Sequence, residues 1–107
     1  MEPESPESSL PQPSVEPSQA FARFLEYLSR DPARAATEYE RLRQKLASYF
    51  QIHGTDAPDA AADMVLDRVA TKIADGAQVD KIYVYCLGIA RLVVLELFRR
   101  SQKERDA

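Results

Sequence analysis

The sequence predicts an all-α protein, in which a compact bundle of about four helices follows a disordered N-terminal tail. After residue 18, apolar residues recur at the three- and four-residue steps of helices that bury one face. The breaks between these segments carry Asp31-Pro32, Gly54 and Gly76, which are typical of helix starts and ends. No segment shows the alternation of a half-buried strand, and 107 residues leave room for one domain.

Residues 1–18 differ in composition from the rest of the chain. Their prolines are Pro3, Pro6, Pro11, Pro13 and Pro17, and their acids are Glu2, Glu4, Glu7 and Glu16. Prolines interrupt helices and strands, and the segment has too little apolar surface to offset the entropy of ordering it. It also lacks the basic start and the apolar run of a signal peptide. We therefore expect residues 1–18 to be a disordered acidic tail and residues 19–107 to be the helical domain.

The net charge of −3 is divided unevenly between these two parts. Four of the 17 acids lie in the tail, which has no Lys or Arg, so the remaining residues carry 14 bases against 13 acids. Several of these bases are close together in the C-terminal segment RRSQKER. The negative net charge of the whole chain therefore does not exclude nucleic-acid binding by the domain. Such binding depends on where the Lys and Arg side chains lie.

Four helices are predicted, over residues 18–29, 32–53 and 58–75 and from a cap at Asp80 to residue 102. In the first helix, Phe21, Leu25 and Leu28 form the stripe that we expect to be buried. The fourth helix is apolar around most of its circumference, which predicts that it is the central element of the bundle.

Side chains suited to catalysis are sparse. The one histidine, His53, falls on the same helical face as Phe50 and is expected to pack against the core, and no second His or Cys lies at metal-ligand spacing. The one cysteine, Cys86, is expected to be a buried apolar residue, and the lack of a disulfide fits the cytoplasm. The longest apolar run, residues 82–98, is interrupted by charges and shorter than the about 20 residues that span a bilayer. The sequence therefore predicts a cytoplasmic non-enzyme without cofactor, metal or membrane segment.

The order of residues in two segments is more informative than their hydrophobic composition alone. These segments are AADMVLDRVATKIADG and IYVYCLGIARLVVLELFRRSQ. The first contains the stretch Leu66-Asp67-Arg68-Val69, and the second passes from aromatic residues through Gly88-Ile89-Ala90-Arg91 to a basic cluster. In this order and spacing they resemble region 2, the promoter-opening domain, of extracytoplasmic-function RNA polymerase sigma factors of bacteria. The resemblance extends over about residues 21–102 and implies a helical fold of the sigma region 2 type.

The resemblance also implies two binding surfaces. The third helix would bind the beta-prime subunit of core RNA polymerase through an acidic stripe, and the fourth would bind promoter −10-type DNA. The acidic residues are Asp59, Asp63 and Asp67; the DNA-binding residues are Tyr83 and Tyr85, which would stack on bases, and Arg91, Arg99, Arg100 and Lys103, which would contact phosphates. The residues alone leave plainer interpretations open: a solvated helix face, tyrosines packed on the core, and cations that compensate a helix dipole.

Five positions depart from the family pattern, and the usual tryptophan is missing. Asp63 stands where glutamine is common, and Glu96 stands where aspartate is usual. Leu92 replaces an asparagine, Ala60 an acidic residue and Met64 a glutamate. No helix-turn-helix follows in the chain, as expected of a fragment or a one-domain relative. A second hypothesis therefore stays open, a helical protein-protein interaction or regulatory module that retains the sigma fold without promoter recognition. An anti-sigma-like regulator and a homo-oligomer are further partners that the sequence leaves open.

Overall fold

The computed structural model describes residues 17–106, which form four α-helices in succession. These are α1 (Pro17–Leu28), α2 (Pro32–Ile52), α3 (Pro58–Ala74) and α4 (Ile82–Asp106). The predicted all-α class is confirmed, since the described residues contain four helices and no strand. The predicted tail lies outside these residues, apart from its last two positions, which form the start of α1. At the other end, α4 continues four residues past its predicted end.

Local sequence signals set the helix ends. The side chain of Asp31 caps α2, and Pro32 occupies the first turn, where its missing N–H costs no hydrogen bond. Gly54 and Gly76 follow α2 and α3 with φ of 77° and 100°, a left-handed conformation that residues with a Cβ rarely adopt. These glycines turn the chain and so allow consecutive helices to pack against each other.

Helices α2 and α3 each pack against the other three helices, and α3, which has eight buried residues against four in α2, is the central element. Its buried residues are Ala61, Ala62, Val65, Leu66, Val69, Ala70, Ile73 and Ala74. Facing them are Phe24 of α1, Leu46 and Phe50 of α2, and Cys86 and Val93 of α4, all without solvent exposure. Small residues on α3 let the larger side chains of its neighbours approach closely, as close packing requires.

The prediction that the fourth helix is central is wrong. Only Cys86, Ile89, Ala90 and Val93 of α4 are buried, and they form one face against α3 and α2. A helix that is apolar all round can be covered on every side only if enough helices surround it. Here α3 takes the central position, so α4 lies at the edge of the bundle and part of its apolar circumference faces solvent.

Two smaller expectations also need correction. In α1 the buried residues are Ala20 and Phe24, whereas Phe21 is exposed and contacts the ring of Tyr39 edge-on at 5.2 Å between centroids. His53 is exposed rather than packed in the core, although its position at the end of α2 is as predicted. In both helices the apolar periodicity predicted the approximate position of the buried face. The packing of the neighbouring helices decided which side chains of that face are covered.

Candidate interaction surfaces

The three acidic residues predicted to bind polymerase lie on the outer side of α3. Asp59, Asp63 and Asp67 are all exposed, because the buried residues of α3 occupy the opposite side. Asp59 is in the first turn, where a carboxylate interacts favourably with the helix dipole. Asp59 and Asp67 form no ion pair with any residue that the structure describes. Their carboxylates are therefore accessible to a basic partner.

Asp63 differs from the other two acids because it already has a partner on α2. Arg43 donates two hydrogen bonds to it, from Nε to Oδ1 at 2.8 Å and from a terminal nitrogen to Oδ2 at 3.2 Å. This fork-like pairing holds the pKa of Asp63 below its usual value. A partner's cation would have to share the Asp63 carboxylate with Arg43 or displace it.

A second fork joins α3 to α4 and was not predicted. The two terminal nitrogens of Arg68 donate to the carboxylate oxygens of Glu96 at 2.6 and 2.8 Å. These hydrogen bonds lower the pKa of Glu96. The two residues are 28 positions apart, so no local spacing could have indicated the pair. Since both side chains are partly exposed, the pair contributes at most about 1 kcal/mol to stability, but it occupies the carboxylate of Glu96.

The tyrosines predicted to stack on bases are both half-buried. The hydroxyl of Tyr83 donates to Oε1 of Glu38 at 2.8 Å, and Nζ of Lys45 lies 5.4 Å from the ring centroid, within cation–π range. Burial and the bond to Glu38 raise the pKa of Tyr83. Tyr85 packs against the core. Lys45 covers one face of the Tyr83 ring, so Lys45 would have to move away before a base could stack on that face.

The four cations predicted to bind phosphates are all exposed, and none forms an ion pair with residues 17–106. They do not form one patch. Arg99, Arg100 and Lys103 lie together at the C-terminal end of α4, whereas Arg91 is two turns earlier. Because nine residues make about two and a half turns, Arg91 and Arg100 project from opposite sides of the helix. The structure thus brings three of the four cations together and leaves Arg91 apart.

Arg100 lies beside a groove of about 540 Å³ between the N-terminus of α3 and the C-terminal half of α4. Ala60 and Met64, two of the positions that depart from the sigma pattern, line this groove opposite Phe98. Acidic side chains at these two positions would have made the groove polar. With Ala and Met, its walls are largely apolar and its rim is charged.

Helix α4 also has an exposed apolar surface that was not predicted from the sequence, and we call it the outer face. It consists of Val84, Leu87, Leu92, Leu95 and Phe98, which are between 42% and 64% exposed. Gly88 lies among them, and a Cβ at this position would meet nothing within 4 Å. Scattered exposed apolar residues are ordinary, but a contiguous group on one helix face is typical of an interaction site.

Two features bear on chemistry, namely the state of the Cys86 thiol and the grouping of possible metal ligands. Cys86 is fully buried, and burial raises the pKa of its thiol to about 12, so at neutral pH it is not the thiolate that a nucleophile requires. Between residues 17 and 106, no group of three or more His, Cys, Asp or Glu could hold a metal ion. No helix in this part of the chain is long and apolar enough to cross a membrane.

Comparison of the chain with protein-family models, curated proteins and solved structures found no match.

Proposed function

We propose that this protein is a sigma factor-like transcription initiation module, which binds the beta-prime subunit of core RNA polymerase and promoter −10-type DNA. The observation that carries the proposal is the presence of oppositely charged surfaces on two neighbouring helices. The carboxylates of Asp59 and Asp67 are exposed on α3, and a group of exposed cations lies at the end of α4. These are the helices to which the resemblance to sigma region 2 assigns polymerase and DNA. Such a function would place the protein in the cytoplasm.

The three acids of the proposed polymerase surface should contribute unequally to binding. Asp59 and Asp67 are available to a basic helix, whereas Asp63 is held by Arg43. An acid that already has a partner gains less from a new cation, because the existing hydrogen bonds must be shared. We therefore expect Asp59 and Asp67 to contribute most of the affinity for the clamp of the beta-prime subunit.

DNA binding would rest mainly on phosphate contacts by Arg99, Arg100 and Lys103. Cations without an ion-pair partner bind phosphates irrespective of sequence, and their binding weakens as salt rises. Leu92 replaces a side chain that could form hydrogen bonds, and the Tyr83 hydroxyl is bonded to Glu38. The protein should therefore bind promoter DNA with little base preference.

The experiment is a pull-down of the purified beta-prime clamp by the full chain. The double substitution Asp59→Lys and Asp67→Lys should abolish the interaction, while Glu26→Lys, an exposed acid-to-base change on α1, should not. Circular dichroism would show that both variants stay helical. If the wild-type protein does not bind the clamp at micromolar concentration, the initiation function is refuted.

DNA binding requires its own measurement, by fluorescence anisotropy with single-stranded and bubble DNA at two salt concentrations. Substituting Arg99 and Arg100 by alanine should weaken binding to all sequences and reduce the salt slope by about one unit per lost contact. Arg23→Ala, which removes an exposed cation from α1, serves as the control. If the variant without both arginines still bound DNA as tightly as the wild-type protein, this end of α4 would have no role in DNA binding.

A second candidate function is a protein-protein interaction or regulatory module that retains the sigma fold without promoter recognition. The exposed apolar outer face of α4, which includes Leu92, favours it, because DNA offers phosphates and polar base edges rather than an extended apolar surface. An anti-sigma-like protein is one partner class that would fit such a module. This function would replace the first if the wild-type protein did not bind the clamp.

A further inference from the structure

The outer face of α4 has the spacing of a helix-pairing surface. Val84, Leu87, Arg91, Leu95 and Phe98 follow one another at steps of three and four residues, which places them on one side of the helix. All five are exposed. Over the 14 positions from the first to the last, α4 rises by about 21 Å, so a partner helix of four turns could cover the whole face. Covering such a contiguous apolar face with a partner helix is favourable, because it removes apolar surface from water.

The charges on this face are positive. Arg91 lies in the middle of the apolar residues, and Arg99 lies one residue beyond their C-terminal end; both are exposed and without an ion pair in the described part of the chain. The acid next to this face, Glu96, is occupied by the two hydrogen bonds from Arg68. Glu96 also interacts electrostatically with Arg99, so the cation on this face that a partner would have to pair is Arg91. A partner that buries Arg91 has to supply one, because an unpaired buried charge is costly.

A second copy of the chain that pairs through the same face does not supply such a carboxylate. Apart from Leu92, the apolar residues are symmetric about Arg91, with Leu87 and Leu95 four positions away and Val84 and Phe98 seven positions away. Any twofold pairing that overlaps all of them, parallel or antiparallel, places Arg91 against its own copy. Like charges at the centre of an interface oppose association. The surface is therefore better suited to a foreign helix than to itself.

Gly88 shapes the same face. It has a helical conformation rather than positive φ, it is exposed, and the space that its side chain would occupy is open. A glycine in a helix interior reduces stability relative to alanine, so it needs another reason to be there. The absence of a side chain leaves a notch between Val84 and Leu92, into which an apolar side chain of a second helix can insert.

We propose that the outer face of α4 is the docking site for an acidic amphipathic helix of another protein. Its apolar residues would cover Leu87, Leu95 and Phe98, one side chain would enter the notch at Gly88, and a carboxylate would pair with Arg91. This inference goes beyond the initiation function and does not depend on it, because the clamp surface is on α3.

The probe is a synthetic helical peptide of about 18 residues, with leucines at steps of three and four and glutamates beside them. A second peptide has lysine in place of each glutamate. Fluorescence anisotropy would measure the Kd of each for the full chain and for three variants. Gly88→Gln fills the notch with a residue that favours a helix, Arg91→Gln removes the central charge, and Ile52→Gln changes an exposed apolar residue of α2 away from this face.

We expect the acidic peptide to bind the wild-type protein and the Ile52→Gln variant with the same Kd. Gly88→Gln and Arg91→Gln should each weaken it by at least about tenfold, and the lysine peptide should bind at least about tenfold more weakly than the acidic one. Gly88→Gln should leave the clamp pull-down unchanged, so failure of this inference is distinguishable from failure of the initiation function.

Three results would overturn the proposal. One is the absence of acidic-peptide binding to the wild-type protein at a peptide concentration of about 100 μM. Another is equal binding of the acidic and lysine peptides, which would indicate unspecific apolar contact. The third is a dimer of the wild-type protein in analytical ultracentrifugation that Gly88→Gln dissociates, because the face would then be covered by a second copy.

Discussion

Replacing Gly88 by alanine should stabilise this protein. The residue lies inside α4 without positive φ, and its added Cβ would meet nothing within 4 Å, so the folded state accepts the methyl group without strain. Alanine loses less backbone entropy than glycine when a helix forms, which is worth about 0.5–1 kcal/mol. For a domain of this size, 1 kcal/mol corresponds to about 4–8 °C in Tm, so we expect a rise of about 2–8 °C.

The same substitution at the other two glycines provides the matched comparison. Gly54 and Gly76 also have open space around a new Cβ, but their φ values of 77° and 100° are unfavourable for alanine. Adopting this left-handed conformation costs about 1–2 kcal/mol, so Gly76→Ala should lower Tm by at least about 4 °C. Thermal unfolding followed by far-UV circular dichroism would measure all three variants, at two protein concentrations.

Two outcomes would refute this reasoning. A lower Tm of Gly88→Ala would mean that the methyl group meets an atom, and hence that the outer face of α4 is covered in the free protein. If this decrease in Tm grew with protein concentration, the atoms that cover the outer face would belong to a second copy of the chain. A rise in Tm of Gly76→Ala would contradict the left-handed end of α3.

Three further predictions concern the core and the titratable groups. Phe50→Ala should cost about 3–5 kcal/mol in urea unfolding because the ring is fully buried, whereas Ile52→Ala, at an 81% exposed position of the same helix, should cost little. Cys86 should react with a thiol reagent at pH 8 only as fast as the protein unfolds, since burial raises its pKa to about 12; labelling at the rate of a free cysteine would contradict its burial. Arg43 lowers the pKa of Asp63, so this carboxylate contributes stability above its unfolded pKa of about 3.9 that is lost as pH falls through the lower folded value. The Tm difference between wild type and Arg43→Ala should therefore shrink toward pH 2, and a pH-independent difference would assign the stabilisation to contacts other than the charge pair.

The sequence could predict the features that depend on neighbouring residues. Helix positions follow from apolar steps of three and four residues, and helix ends follow from Asp31 and from Gly54 and Gly76, whose effects extend over a few residues. The exposure of Asp59 and Asp67 was predictable for the same reason, since a buried stripe on a helix fixes which side remains outside. These are the parts of the fold and of the candidate surfaces that the structure reproduces.

Only the tertiary structure decided which helix is central and which acids and tyrosines have partners. Arg43 and Asp63 are 20 positions apart, Arg68 and Glu96 are 28, and Glu38 and Tyr83 are 45, so each pair depends on how helices pack. The part of the apolar circumference of α4 that stays exposed could not be predicted for the same reason. Hydrophobicity predicts that covering an apolar face lowers the free energy of the protein. The number and order of the neighbouring helices determine which face is covered. Because α3 occupies the centre, Leu87, Leu95 and Phe98 remain exposed on a helix that its sequence alone assigns to the core.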